Sequence, residues 1–250
     1  QRSLFNTDHV YHHEDKLLPL GIYKIIIGTV PLKDLKEIAK KYECTITELL
    51  SALYVEALIH IQHQDVKNKK KHRNIGMEIP VNMRTLWPIR SMRNFSLFVV
   101  PRFDPKKINK FEDIIAFLKP YMKKHITKEH LITMAKDNYD LTKNPIVKYV
   151  PVFIKNLVIR YLSNTQGHAQ FSGAISNLGA IRLPDVLNEY IEDMGVMLGP
   201  TYHCLTGCGV VGFKDHIHIN FGRINKHPRV EKHVFRRLVE MGAHVSIRSN

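Results

Sequence analysis

The stretch from Ile46 to Ile61 constrains this chain more than any other. Ile46, Leu49, Leu50, Leu53, Tyr54, Ala57, Leu58 and Ile61 recur at helical spacing and trace one continuous apolar stripe. Thr45 and Glu48 precede it in the pattern of a capping box, where the two side chains satisfy backbone N–H groups that the first turn leaves open. A helix so marked must lay its stripe against other apolar surface. The flanking sequence supplies it.

On the N-terminal side, Ile22 to Val30 (IYKIIIGTV) is β-branched and reads as a strand, and Pro31 then opens a helix with Leu32, Leu35, Ile38, Ala39 and Tyr42 at helical spacing. On the C-terminal side, strands are expected at Ile75 to Met83 and at Phe95 to Phe103. A helical stretch from Phe111 to about Ala135 is expected to break near Pro120, and another helix to run from Asn144-Pro145 towards Leu162. The chain then turns to β-structure. Ala169 to Asn177 leads into a turn at Leu178-Gly179, followed by strands at Tyr190 to Leu198, Cys204 to Phe213 and Ile217 to Gly222, the last two a hairpin around Lys214-Asp215. Pro228 opens a closing helix with Val230, Val234, Phe235 and Leu238 inward and Gly242 as its C′ residue, and Ala243 to Ile247 is a short final strand. This order predicts an α/β fold, a mixed β-sheet covered by helices on at least one face. Residues 1–17 read as irregular and 18–250 as one unit, since no repeat or Gly/Ser linker divides them.

Apolar residues make up 44% of the 250, too many for a disordered chain. No apolar run approaches the ~20 residues of a membrane span. Cys44, Cys204 and Cys208 cannot all pair and show no CxxC spacing, which points to a reduced, cytoplasmic protein. A first residue, Gln1, that is not Met suggests a chain cut from a longer one. The net charge of +14 suggests nucleic acid, anionic lipid or a phosphate-bearing ligand. The densest basic run, Lys67 to Arg73, has none of the interleaved aromatic rings of a single-strand binder, and reads as an exposed loop.

Motifs for common chemistries are absent: no GxSxG, Walker A, HExxH or GxGxxG occurs. His9, His12, His13 and Asp15 lie together without a second ligand pair, and His216 and His218 share one strand face, so no metal site is expected. Arg84, after Pro80-Val81-Asn82, could clamp a phosphate, but no Gly-rich loop accompanies it, and a structural role is favoured. Ser176-Asn177-Leu178-Gly179 closes a strand of small residues (Ser172, Gly173, Ala174), where a hydroxyl and an amide could donate to a developing oxyanion or simply form a turn.

Several of these pieces resemble one family. "IPVNMR", followed by "RNF" about ten residues on, resembles the PVS/N-x-R…GN-F pattern of wax ester synthases, and Ile175 to Gly179 (ISNLG) resembles the SNLG strand ends of the same group. "CTITELLSALYVEAL" is similar to helices of condensation domains and alcohol acetyltransferases. From about Leu18 to Ile247 the order of motifs resembles the C-terminal half of a chloramphenicol acetyltransferase-like, coenzyme A-dependent acyltransferase. Two departures stand out. Arg93 replaces the glycine usual before Asn94, and the HHxxxDG motif that carries the family's histidine base is absent, since His12-His13 lead into Glu14-Asp15-Lys16.

The resemblance implies transfer of an acyl group from an acyl-coenzyme A or acyl-carrier thioester to a small alcohol or amine. The coenzyme would act as co-substrate, with no bound cofactor. It further implies an N-terminal subdomain of the same protein as the source of the base, residues 1–17 as the connecting segment, and this chain alone as inactive. Ser176 and Asn177 would then meet substrate, while Arg84, Asn94 and Gly179 would be structural. Two rival readings are a basic nucleic-acid-binding protein and a non-catalytic interaction domain.

Overall fold

The computed structural model describes residues 10–90, 95–143, 150–162, 170–199 and 204–250. Its centre is an eight-stranded mixed sheet. In chain order the elements are β1 (Lys24–Pro31), α1 (Leu32–Lys41), α2 (Ile46–Asp65), β2 (Ile75–Asn82), β3 (Ser96–Val99), β4 (Arg102–Phe103), α3 (Phe111–His125), α4 (Lys128–Lys143), α5 (Val152–Leu162), β5 (Gly173–Ile181), α6 (Asp185–Asn188), β6 (Thr206–Phe213), β7 (His216–Arg223), α7 (Arg229–Glu240) and β8 (Ser246–Ser249). Across the sheet the strands run β3-β2-β5-β6-β7-β1-β8, with β4 also on β2. The β2–β5 and β5–β6 pairs are parallel and the others antiparallel.

The capping box forms as the sequence predicts: Thr45 Oγ1 accepts from Glu48 N at 3.1 Å, and Glu48 Oε2 accepts from Thr45 N at 2.7 Å. The helix it opens is the core. Leu49, Leu50, Leu53, Tyr54, Ala57, Leu58 and Ile61 are all buried, against Ile75, Met77 and Ile79 of β2, Ile175 of β5 and Ile219 and Phe221 of β7. The strand alternation is equally clear in β7, whose Ile217, Ile219 and Phe221 join this core while His216 and His218 turn to the opposite face. The helix α7 ends in a Schellman motif, with Gly242 N donating to Val239 O and Ala243 N to Leu238 O, and Gly242 at φ +99°. Among the described residues no single helix is long and apolar enough to cross a membrane.

Several expectations are corrected. Pro120 lies inside α3 instead of breaking it, because its one missing N–H falls on an exposed face. The break comes at Ile126, where Thr127 Oγ1 caps α4 by accepting from His130 N at 3.3 Å. The strand expected over Phe95 to Phe103 is split into β3 and β4 at Val100-Pro101, since Pro101 has no N–H to continue the ladder. The fifth strand is Gly173–Ile181, the expected first residue, Ala169, lying outside the described residues; it runs past Asn177, so Leu178-Gly179 is a bulge within it and not a turn that ends it. The final strand is Ser246–Ser249, shifted from Ala243 to Ile247 because the Schellman motif consumes Ala243. Residues Tyr190 to Leu198 form no strand, since both edges of β6 are already taken by β5 and β7. The helix from Asn144-Pro145 is seen from Val152; its expected start, like Asn94, His9 and Arg93, lies outside the described residues.

Residues 10–17 have no regular structure beyond the bridge Leu17–Asn225, yet they are firmly held. Asp15 accepts from Asn225 Nδ2 at 3.0 Å, from His227 N at 2.9 Å and from Lys16 N at 2.7 Å, and its Oδ1 lies 2.8 Å from His227 Nδ1. Tyr11 reaches Asp65, which Arg229 also grips at 2.8 Å. Burial alone would raise the Asp15 pKa, but the hydrogen bonds from Asn225 and His227 outweigh it and hold the carboxyl well below the usual range. A depressed carboxyl stabilises the fold above its unfolded pKa of ~3.9 and loses that contribution as pH falls from there through its lowered folded value. Asp15→Ala should therefore cost about 1–3 kcal/mol at neutral pH, with the gap to the parent protein narrowing below pH ~4. Urea melts of both proteins from neutral to acid pH measure it; a gap independent of pH would show that the clasp is not ionic.

Candidate functional site

The two faces of the sheet differ in chemistry. On the helix side the strands present Met77, Ile175, Val210 and Phe221 to α2 and α7. On the other side they present Glu78 from β2, Ala174 and Ser176 from β5, Gly207 and Gly209 from β6, His218 and Asn220 from β7, and Thr29 from β1. The crossing segment, residues 191–199, covers part of this second face. An added Cβ at Gly209 would lie 2.2 Å from Val196 O, and one at Gly207 3.0 Å from Leu198 Cβ, so the β6 glycines make the room in which the segment lies. Tyr23 donates to Leu198 O, and Asp193 is held by His218 Nε2 at 3.0 Å and by Arg248.

His218 Nδ1 sits 3.2 Å from Thr29 Oγ1, so both ring nitrogens are occupied within the fold, and burial lowers its pKa. His218 is thus explained by Asp193, a partner that sequence spacing gave no means of finding, while His216 is exposed at the start of β7. Among the described residues no group of three or more histidine, cysteine, aspartate or glutamate side chains could hold a metal.

What the segment leaves open is a strip formed by Glu78, Ala174 and Ser176, all half-buried. Glu78 is paired in register with Ala174, and Ser176 with Gly209. Ser176 faces this strip because its neighbours Ile175 and Asn177 face the helices. Asn177 Nδ2 donates to Thr47 Oγ1 on α2 at 2.9 Å, and its Oδ1 accepts from Gly179 N at 2.8 Å. Gly179 takes φ +74°, a left-handed conformation that suits glycine, at the register shift of the bulge. The two adjacent residues singled out in the sequence therefore point apart: Asn177 fixes the backbone to α2, and Ser176 looks out. Glu78, which sequence reasoning passed over, lies beside them. Burial raises its carboxyl pKa, and no hydrogen-bond partner offsets this among the described residues. Its one signal was an acid at an alternating position in an apolar strand.

Arg84 stands apart from this strip, on the Met83–Thr85 turn beyond β2, with its guanidinium 6.0 Å from the centre of the Phe95 ring. The Lys67 to Arg73 run forms an exposed turn over Lys69–Lys71.

No family model and no curated protein matches the chain, but solved structures do. Trichothecene 15-O-acetyltransferase from Fusarium sporotrichioides superposes with a TM-score of 0.55 at 13% identity, over 94% of this chain and 49% of that one. The wax ester synthase/diacylglycerol acyltransferase from Marinobacter aquaeolei VT8 gives 0.53 at 11% identity, over 94% and 52%. The chain has the fold of these two acyltransferases. The epimerization domain from the third module of tyrocidine synthetase B shares it, with a TM-score of 0.51 at 11% identity over 93% and 51%. The chain spans about half the length of these three structures, as its resemblance to half of such a protein implies.

The seating of the crossing segment can be tested at Gly209. A methyl group there meets backbone, which cannot swing aside, so Gly209→Ala should destabilise by about 1–3 kcal/mol in urea unfolding. An unchanged midpoint would mean that the segment does not lie on β6.

Proposed function

We propose that this chain is the C-terminal half of an acyltransferase, which moves an acyl group from a coenzyme A or carrier-protein thioester to a hydroxyl or amine. The observation that carries the reading is the match itself: nearly all of this chain superposes on about half of two acyl-transferring enzymes. The exposed apolar side chains of α5, with Val152, Phe153 and Leu157 each more than two-thirds exposed, suit a half that packs against another body. The basic surface suits the phosphates of coenzyme A, and three cysteines that form no disulfide suit a cytoplasmic location.

In this reading the base comes from the other half, as the family's HHxxxDG histidine. It takes the proton from the acceptor as that group attacks the thioester carbonyl, and the tetrahedral intermediate collapses with loss of the thiol. Ser176, looking out from β5, donates to the oxyanion that forms on the carbonyl oxygen. Asn177 acts one step removed, by fixing the strand that carries Ser176. Glu78, on the same strip, accepts a hydrogen bond from the incoming hydroxyl or amine. A basic nucleic-acid binder has nothing comparable in its favour, because the densest lysine run is a solvated turn and the ring within that run, His72, is buried against His63.

Two measurements test this. The isolated chain should transfer no acyl group from acyl-coenzyme A, and turnover that vanishes on substituting one of its own histidines would contradict the reading. In the protein carrying both halves, Ser176→Ala should lower kcat by ~10²–10³ with little change in KM, since a donor to the oxyanion acts in the transition state. Asn177→Ala should instead lower the melting temperature. If Ser176→Ala lowered only stability, with turnover per folded molecule unchanged, the oxyanion role would be lost.

A further inference from the structure

The helical layer stops short of the far edge of the sheet. Beyond α7 the helix-side faces of β1 and β8 continue, and Ile26, Val245 and Ile247 line a groove with Phe235 and Val239, about 510 Å³ in volume. Val239 and Ile247 are each 55% exposed, apolar surface that a sheet edge normally covers or charges. The groove lies at the opposite end of the strand order from Glu78 and Ser176, and on the opposite face.

Its rim carries two cations, Lys232 and Arg236, and two acids, Glu231 and Glu240. Lys232 and Arg236 stand one turn apart on α7, both exposed and neither in an ion pair among the described residues. The acids at the same rim are already committed. Glu240 holds Arg237 at 3.0 Å, and the buried Glu231 faces inward to Arg223 at 3.2 Å.

An apolar trough with two free cations on one bank matches a molecule with an alkyl tail and one anionic head. The volume lies within the range of small-molecule sites. A helix, 10–12 Å across, would fill it in about one turn, leaving the rest of its apolar face without support. A single alkyl chain is narrow enough to lie along it. We propose that this groove binds a free fatty acid, its chain on Ile26, Phe235, Val239 and Ile247 and its carboxylate between Lys232 and Arg236. The site is separate from the strip around Ser176 and does not depend on the acyltransferase reading: it holds a carboxylate, not a reacting thioester.

Calorimetric titration of the chain with sodium dodecanoate below its micelle concentration is the test, with dodecyltrimethylammonium as the cation of equal chain length. The expected result is one saturable site for dodecanoate and binding of the ammonium at least about tenfold weaker. Lys232→Glu with Arg236→Glu, both on the surface, should weaken dodecanoate by about tenfold without shifting the melting curve. Val239→Asp, also exposed, should remove binding by placing a charge in the trough. The proposal is overturned if no saturable site appears, if the ammonium binds as well as the carboxylate, or if the double charge reversal leaves dodecanoate affinity unchanged. Binding of lysophosphatidylglycerol without binding of dodecanoate would also overturn it, since the recognised head would then be a phosphate ester and not a carboxylate.

Discussion

Everything in this molecule is arranged around the way Tyr54 enters the sheet. The side chain comes from the middle of α2, is 1% exposed, and donates its hydroxyl to Thr206 O at the start of β6. Its ring meets Phe221 edge-on, with centroids 5.9 Å apart, and lies where a Cβ on Gly173 would be, only 2.9 Å from Tyr54 Cζ. One residue thus fixes the helix against β5, β6 and β7 together. A buried phenol without a partner would cost a few kcal/mol, so the backbone carbonyl it reaches is part of the requirement. Gly173 makes room for it, which is why β5 begins with small residues. The composition that first suggested a ligand near Ser172 to Ala174 is accounted for, at Gly173, by a tyrosine of the same chain.

The second constraint is charge placed where water is scarce. Arg223 and Glu231 face each other inside the fold, 3.2 Å apart but off the line of a hydrogen bond, while Arg223 Nη1 donates to the carbonyls of Asn225 and Lys226. Burial pushes the Glu231 carboxyl up to about 7, against the pull of its own helix N-terminus and of Arg223. Such a pair adds little net stability but is costly to break by halves. It stands beside the Asp15 clasp, so the loop after β7, the N-terminal segment and the first turn of α7 form one polar knot at an end of an otherwise apolar core.

How much of this could be read in the sequence follows from how local each cause is. The α2 cap and stripe, the β7 alternation and the Gly242 stop depend on residues within a few positions, and the sequence shows them. The bulge at Leu178-Gly179 looked like a turn, because Asn followed by Gly serves either; Thr47, far off in the chain, decides it by holding the Asn177 amide. Residues 190–198 have strand composition, yet whether a strand forms depends on a free edge, and β5 and β7 had taken both edges of β6. At the candidate site, Ser176 was visible through its motif. Glu78 was not, because one acid in an apolar strand reads as a solvent-facing position until β5 is known to lie beside it.

The uncovered strip also explains why this sheet has a polar second face at all. A sheet with helices on one side only would ordinarily turn charged and polar side chains to water. Here the second face carries instead buried His218 and Asn220, with a crossing segment laid over them and a half-buried acid at its margin. Asn220 is fully buried, and its Oδ1 has no partner among the described residues. A chain that needed only to fold would replace these groups with apolar ones at little cost, since a polar group covered without a partner is a net expense. Here they seat the crossing segment: His218 and Arg248 hold it through Asp193, the β6 glycines let it lie close, and Glu78 and Ser176 are left at its border. The helix side carries the apolar core, and the second face seats the crossing segment.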